Sequence, residues 1–240
     1  MIGFLRDVYR TAIVPAENVY AGIRGRLPVK RRLRYGGVLV DIEVKALDFL
    51  FPRFRNKRDI EGYEEALATM LRRTVQPGDT VVVVGGGWGV TACVAAEAVG
   101  ASGKVICYEG NLRNAERTRR AAELNEVADQ LEVVEAIVAR DVGIYEGQKA
   151  VTVVDPEALP PCRILQLDCE GAEIDIFNRM QIQPEIVIVE THGFLGTPTD
   201  KVAETLEQKG YEVRNMGLAE PRVANVCRDN DIFCLLGIRK

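Results

Sequence analysis

The run Val81-Val82-Val83-Val84-Gly85-Gly86-Gly87-Trp88-Gly89 decides the fold. Thr80 followed by four valines, with no polar alternation, suits a strand buried on both faces of a parallel sheet. The glycines then allow a tight turn and a close approach of backbone to a ligand, because no Cβ stands in the way. Pro77-Gly78-Asp79 marks a turn before the strand, and Val90 to Val99 reads as a helix after it. A strand, a glycine loop and a helix in that order open a βαβ unit.

The alternation continues downstream. Lys104 to Tyr108 is a strand ending at Glu109, and Asn111 to Asn125 is a helix with Asn111 as its N-cap. Leu131 to Val134 is a strand, and residues 136–155 read as short strands and turns, with a hairpin through Gly143 and Gly147. Ile164 to Asp168 and Glu185 to Glu190 are strands flanking a helix over Ala172 to Met180. A helix over Thr199 to Lys209 closes at Gly210, and Tyr211 to Arg214 and Ile232 to Ile238 are the last strands. No helical run separates that last pair, so they are expected to lie antiparallel. The pattern predicts an α/β, Rossmann-like, doubly wound and mostly parallel sheet with an antiparallel last strand.

Upstream the pattern is less regular. Glu61 to Arg73 reads as a helix with Tyr63, Ala66, Leu67 and Met70 on one face. Residues 37–51, bounded by Pro52, read as a strand or short hairpin. Residues 1–36 read as a partly helical extension, with Phe4, Leu5, Val8 and Tyr9 on one face and Pro15 and Pro28 as breaks. The division expected is an N-terminal extension or lid over 1–59 and a main domain over 60–240.

With 240 residues, 47% hydrophobic and 28% charged, the chain fits one globular domain with an appendage. A net charge of -4 argues against wholesale nucleic-acid binding. The six cysteines form no C-x-x-C pair and several lie in apolar runs, which suits reduced, structural thiols. No apolar stretch reaches the roughly 18 to 20 residues a membrane helix needs. Charge at Arg6 and Asp7 interrupts the N-terminus too early for a signal peptide. The cytoplasm is the default expectation.

Two features point to a nucleoside site. Open α/β sheets bind ligands at the carboxyl ends of their strands, where Gly85, Gly87 and Gly89 fall. Glu109 ends the next strand, one β-α-β unit on, where a carboxylate can accept from both hydroxyls of a ribose. Gly87, Gly89 and Ala92 also satisfy the G-x-G-x-x-A spacing of a dinucleotide site. S-adenosylmethionine and a nicotinamide cofactor therefore both remain open. The antiparallel closure and the lack of a second substrate domain weigh against the dinucleotide.

The string Asp168-Cys169-Glu170-Gly171-Ala172-Glu173 resembles the D-x-E-G-A-E signature of FkbM-type methyltransferases. So do the Pro-Gly-Asp turn, Tyr108-Glu109-Gly110-Asn111, Leu124-Asn125, and Ile188-Val189-Glu190-Thr191-His192-Gly193, over roughly residues 60 to 238. The resemblance implies a seven-stranded S-adenosylmethionine-dependent O-methyltransferase acting on hydroxyls of sugars, glycans or small metabolites. It implies that Gly85, Gly87 and Gly89 line the donor's methionine part, that Glu109 holds the ribose, and that Asp168 and Glu170 border the transfer site. Asp168 accordingly counts among both the cofactor-binding and the catalytic residues. Val83 departs from the pattern, because the family carries an acid two residues before the first glycine to fix the donor's amino group. A catalytically degenerate cofactor binder is the reading that this departure leaves open.

His192, the only histidine, follows the fifth strand and is the candidate general base. Asp168, Glu170, Glu173, Glu190 and His192 could form an oxygen-rich divalent-ion site, although the reading assigns no metal. For Glu173 and Asp175 the simpler expectation is a solvated first helical turn. Basic runs at Arg24, Arg26, Lys30, Arg31, Arg32 and Arg34, and at Arg53, Arg55, Lys57 and Arg58, are solvated faces in the simplest case. Converging over the site, they would favour an anionic acceptor or peripheral contact with an anionic membrane. Aromatic residues are not interleaved with them, which disfavours RNA.

Overall fold

A computed structural model describes residues 28–45, 60, 62–139 and 152–240. The chain divides into two units, residues 1–33 with 41–59 and residues 34–40 with 60–240. Strands β1 (Pro28–Tyr35) and β2 (Val38–Lys45) form a two-stranded sheet around the Gly36-Gly37 turn. The tip of that hairpin, residues 34–40, belongs to the larger unit. Residues 28–35 are strand where a partly helical extension was expected. The proposed helical face at Phe4 to Tyr9, the breaks at Pro15, the basic residues Arg24 and Arg26, and the cluster at Arg53 to Arg58 lie outside the described residues.

The larger unit is built on a seven-stranded sheet. Its strands are β3 (Thr80–Val84), β4 (Lys104–Tyr108), β5 (Leu131–Val134), β8 (Ile164–Leu167), β9 (Ile186–Glu190), β10 (Tyr211–Leu218) and β11 (Phe233–Arg239), in the order β10-β11-β9-β8-β3-β4-β5. β11 pairs antiparallel with both β9 and β10, and the other pairings are parallel. The helices are α1 (Glu65–Thr74), α2 (Val90–Val99), α3 (Leu112–Leu124), α4 (Glu173–Arg179), α5 (Thr199–Gln208) and α6 (Ala224–Asp229). α6 and a short 3₁₀ turn occupy the connection between β10 and β11, which was expected to carry no helix. β6 (Ala136–Val138) and β7 (Thr152–Val154) pair in parallel, so they are not the arms of the expected hairpin; Gly143 and Gly147 lie outside the described residues.

Burial explains the sequence pattern. Val81, Val82 and Val83 are fully buried because helices cover both faces of β3. Val82, Val84, Leu165, Leu167, Val187 and Val189 form one core with Ile176 and Phe177 of α4 and Val202 and Leu206 of α5. The period-2 alternation turns Val83 and its register neighbours Gln166 and Cys107 to the opposite face. α2 is apolar almost all round and nearly every residue in it is buried. Asn111 caps α3, its Oδ1 accepting from the N–H groups of Arg113 and Asn114 at 3.0 and 3.2 Å. All six cysteines are free thiols, and among the described residues no helix is long and apolar enough to cross a membrane.

Gln166 is fully buried on β8, and neither its amide oxygen nor its amide nitrogen has a partner among the described residues. A buried amide without partners costs roughly 1 to 3 kcal/mol. Gln166→Leu keeps a similar volume without the polar group and is expected to raise stability by about 1 kcal/mol or more. Urea denaturation of the two proteins checks this, and a lower midpoint for the leucine variant would show that the amide has a partner after all.

Candidate active site

The chain runs from β3 outward to β4 and β5, then returns to β8 on the other side of β3. Such a reversal opens a crevice at the carboxyl ends of the two strands, here β3 and β8. A cleft of about 310 Å³ lies there, lined by Gly85 and Gly87 of the glycine loop, by Tyr108, Glu109, Asn111 and Asn114, and by Asp168, Cys169 and Glu170. Tyr63, Glu64 and Trp88 also line it, as does the apolar stretch Ala136, Ile137 and Val138. Hydrogen bonds from Gly85 N–H to the Tyr108 carbonyl and from Asp168 N–H to the Val84 carbonyl, each 2.9 Å, hold the strand ends together.

The glycine loop and Glu109 meet directly. Glu109 is buried, and its Oε2 accepts from the N–H groups of Gly86 and Gly87 at 2.9 and 2.8 Å. Its Oε1 accepts from Asn111 N–H at 2.7 Å. Burial raises the carboxyl above its ordinary pKa, while those three N–H groups pull it back. A carboxylate offers about four lone-pair directions. Three are used, which leaves room for one ribose hydroxyl rather than the two expected.

Gly89 does not line the cleft. It packs against α3, where an added Cβ would lie 2.9 Å from the Thr118 Cα, so its smallness serves helix packing. Trp88 is on the cleft wall, with the Arg117 guanidinium 4.3 Å over its ring and Tyr35 at 5.7 Å.

At the ends of β8 and β9 the structure gathers Asp168, Glu190 and His192. His192 is buried, and its Nδ1 lies 2.7 Å from Oε1 of Glu173, which is itself fully buried. Glu173 was expected in solvent at the first turn of its helix; instead α4 delivers it beneath the histidine. Nε2 of His192 faces Oδ1 of Asp168 at 3.4 Å and Oε1 of Glu190 at 3.8 Å. Burial alone would lower the imidazole pKa, but the Glu173 hydrogen bond and the charges of Asp168, Glu173 and Glu170 outweigh it, and the net shift is upward. Burial pushes the Asp168 carboxyl up to about 6, with His192 opposing and Glu170, Glu173 and Glu109 adding to the rise.

His192 is not on the cleft wall; Asp168 is, and it links the histidine to the cleft. Glu170 is exposed, lines the cleft, and sits at φ 50° immediately before Gly171 at φ 101°. Asp168, Glu190 and His192 each offer a ligand atom, all within 4.8 Å of one another, so this set could hold a divalent ion. Tyr63 and Glu64 fall within the helix expected over Glu61 to Arg73, but the helix begins at Glu65 and both line the cleft instead, with no motif around them to mark that role.

No protein-family model matches the chain, and no curated protein does. Among solved structures, a proposed transferase from Pyrococcus horikoshii matches 98% of this chain and 86% of its own at 14% identity, with a TM-score of 0.52. A methyltransferase from Geobacter sulfurreducens matches 81% of this chain and 86% of its own at 21% identity, with a TM-score of 0.49. A SAM-dependent O-methyltransferase from Thermotoga maritima matches 87% and 77% at 19% identity, with a TM-score of 0.48. At 14% identity the likeness to the Pyrococcus protein speaks to the α/β fold alone.

Proposed function

We propose that this chain binds S-adenosylmethionine and methylates a hydroxyl of a sugar, glycan or other small metabolite. The observation that carries the reading is the charge of the cleft. Glu64, Glu109, Asp168 and Glu170 line it, and no lysine, arginine or histidine stands among its described lining residues. A cationic ligand suits such a cleft, and a pyrophosphate does not. The backbone N–H groups that would cradle a phosphate, those of Gly86 and Gly87, are already bonded to the Glu109 carboxyl. This disfavours the nicotinamide alternative on the geometry of the loop itself.

Within the cleft, Glu109 would take a ribose hydroxyl, and the glycine loop would let the nucleoside lie close to backbone. Bound there, the donor supplies an electrophilic methyl group to the acceptor oxygen. Asp168, raised towards neutrality and in contact with His192, would take the hydroxyl proton. Glu173 holds the imidazole from behind and fixes its orientation. Alignment of the two reactants supplies much of the rate.

The test is calorimetry with S-adenosylhomocysteine and with NAD. Uptake of the first alone is expected, and uptake of NAD alone would replace this reading with the dinucleotide one. Turnover assays with labelled donor and a panel of hydroxylated acceptors then separate an active enzyme from a degenerate binder.

The close set Asp168, Glu190 and His192 favours a second reading of the acceptor chemistry. These three residues would hold a divalent cation, with Glu173 fixing His192 from Nδ1. The ion would stabilise negative charge on the acceptor oxygen. Turnover lost to a chelator and restored by magnesium or manganese supports that version; turnover indifferent to chelator supports the proton-accepting pair.

A further inference from the structure

We propose that Glu64 is the anionic anchor for a primary ammonium group in the cleft, namely that of the donor's methionine end. The inference rests on the donor reading above. It starts from an absence on β3. The strand that leads into the glycine loop carries no acid, because residues 81–84 are all valine. An amino acid bound beside that loop brings an ammonium that needs a negative partner in a partly dry cleft.

Glu64 supplies one from another element. Residue 83 points to the face of the sheet opposite the core of α4 and α5. Glu64 immediately precedes α1 and lines the cleft with Gly85 and Gly87. Its Oε1 lies 3.6 Å from the point where a Cβ on Gly87 would stand. The residue is only 8% exposed, and its Oε2 has no hydrogen-bond partner among the described residues.

Two further features fit a binding role. Glu64 sits at φ 48°, ψ 34°, a left-handed conformation costly for a residue with a Cβ, and its side chain does not cap α1. Burial, reinforced by the nearby Asp168 charge, pushes the carboxyl up to about 8, so a cation placed beside it would favour the ionised form. Beside it, Tyr63 stacks near Tyr35 with ring centroids 5.0 Å apart, and Tyr35 in turn meets Trp88. Aromatic faces next to a carboxylate make a setting that favours cations.

A structural role competes with this. Glu64 also accepts from the backbone N–H of Thr91 in the first turn of α2, and it bonds the Tyr63 side chain. Helix capping needs only a neutral acceptor oxygen, whereas an ammonium gains from the charge. Glu64→Gln therefore separates the two.

The experiment is titration calorimetry of wild type and Glu64→Gln with S-adenosylhomocysteine and with 5′-methylthioadenosine, which has the same nucleoside thioether but no amino acid. Loss of a charge-assisted hydrogen bond is expected to weaken S-adenosylhomocysteine roughly 10- to 100-fold. Binding of 5′-methylthioadenosine should be unaltered, and Glu64→Asp should fall between wild type and Glu64→Gln. The glutamine variant should melt no lower than wild type, because its amide oxygen can still accept from Thr91 N–H and no buried carboxyl is left to ionise. Equal affinity of the two proteins for S-adenosylhomocysteine would leave Glu64 as a helix cap only. Parallel loss of both ligands would also overturn the ammonium assignment. Wild type that binds neither ligand would instead remove the donor reading itself.

Discussion

Replacing His192 with alanine is expected to cut turnover by roughly 10²- to 10⁴-fold while affinity for S-adenosylhomocysteine stays unchanged. The two effects separate because His192 is off the cleft wall and acts through Asp168. Without the imidazole, Asp168 keeps its neighbours Glu170 and Glu173 but loses the cation that holds its carboxyl down. It would then hold its own proton to higher pH and be a poorer acceptor of another. Because the chain has one histidine, the imidazole can be followed by proton NMR without assignment. Its midpoint is expected above 6.5, since Glu173 and the surrounding carboxyls outweigh the effect of burial. The sign then follows for stability. A histidine whose folded pKa is raised contributes stability fully present below pH 6.5 or so and lost as pH rises through the folded value. Turnover should climb as pH rises through about 6, where Asp168 gives up its own proton and can accept another. A midpoint below 6.5, or full activity in the alanine variant, would remove His192 from the chemistry.

The wall of carboxyls was only partly legible in the sequence. Asp168, Glu170 and Glu109 stand at strand ends that the alternation of β-branched runs and helices locates to within a residue or two. α2 and β4 could be bounded from sequence because glycine breaks and apolar runs act locally and agree with one another. Glu173 shows where this stops. The helix dipole correctly favours an acid in the first turn of α4, but it says nothing about what packs over that turn. Tertiary contact with His192 converts a surface acid into a fully buried one. β6 and β7 illustrate the same limit, since strand composition does not specify which neighbour a short strand will pair with, or in what direction. α6 is six residues long, too short for a period of 3.6 to stand out. Glu64 carries no local signal at all, because its importance comes from the distance between the head of α1 and a loop more than twenty positions later.

Gly85→Ala is expected to be the most damaging single substitution for stability, at about 3 kcal/mol or more. A Cβ on Gly85 would stand 1.8 Å from the carbonyl oxygen of Asp168, and φ there is 94°. Neither conflict can be relieved by a side-chain rotation, because the clashing atom is backbone and the adjacent strands are locked by parallel ladders. Gly210 provides the control. It has a similar φ of 88° with nothing within 4 Å of the added carbon, so Gly210→Ala should cost only the conformational penalty of about 1 kcal/mol. In a protein of this size each kcal/mol corresponds to roughly 2 to 4 °C in Tm. The two variants should therefore differ by several degrees, and identical melting curves would mean that β3 and β8 part easily at their ends. The close approach also has a functional side. Gly85 lets the glycine loop lie directly on the backbone of Asp168, which sets the spacing between the nucleoside end of the cleft and its acidic end. Any residue with a Cβ would push these apart, so donor affinity should fall along with Tm in Gly85→Ala and remain at the wild-type value in Gly210→Ala.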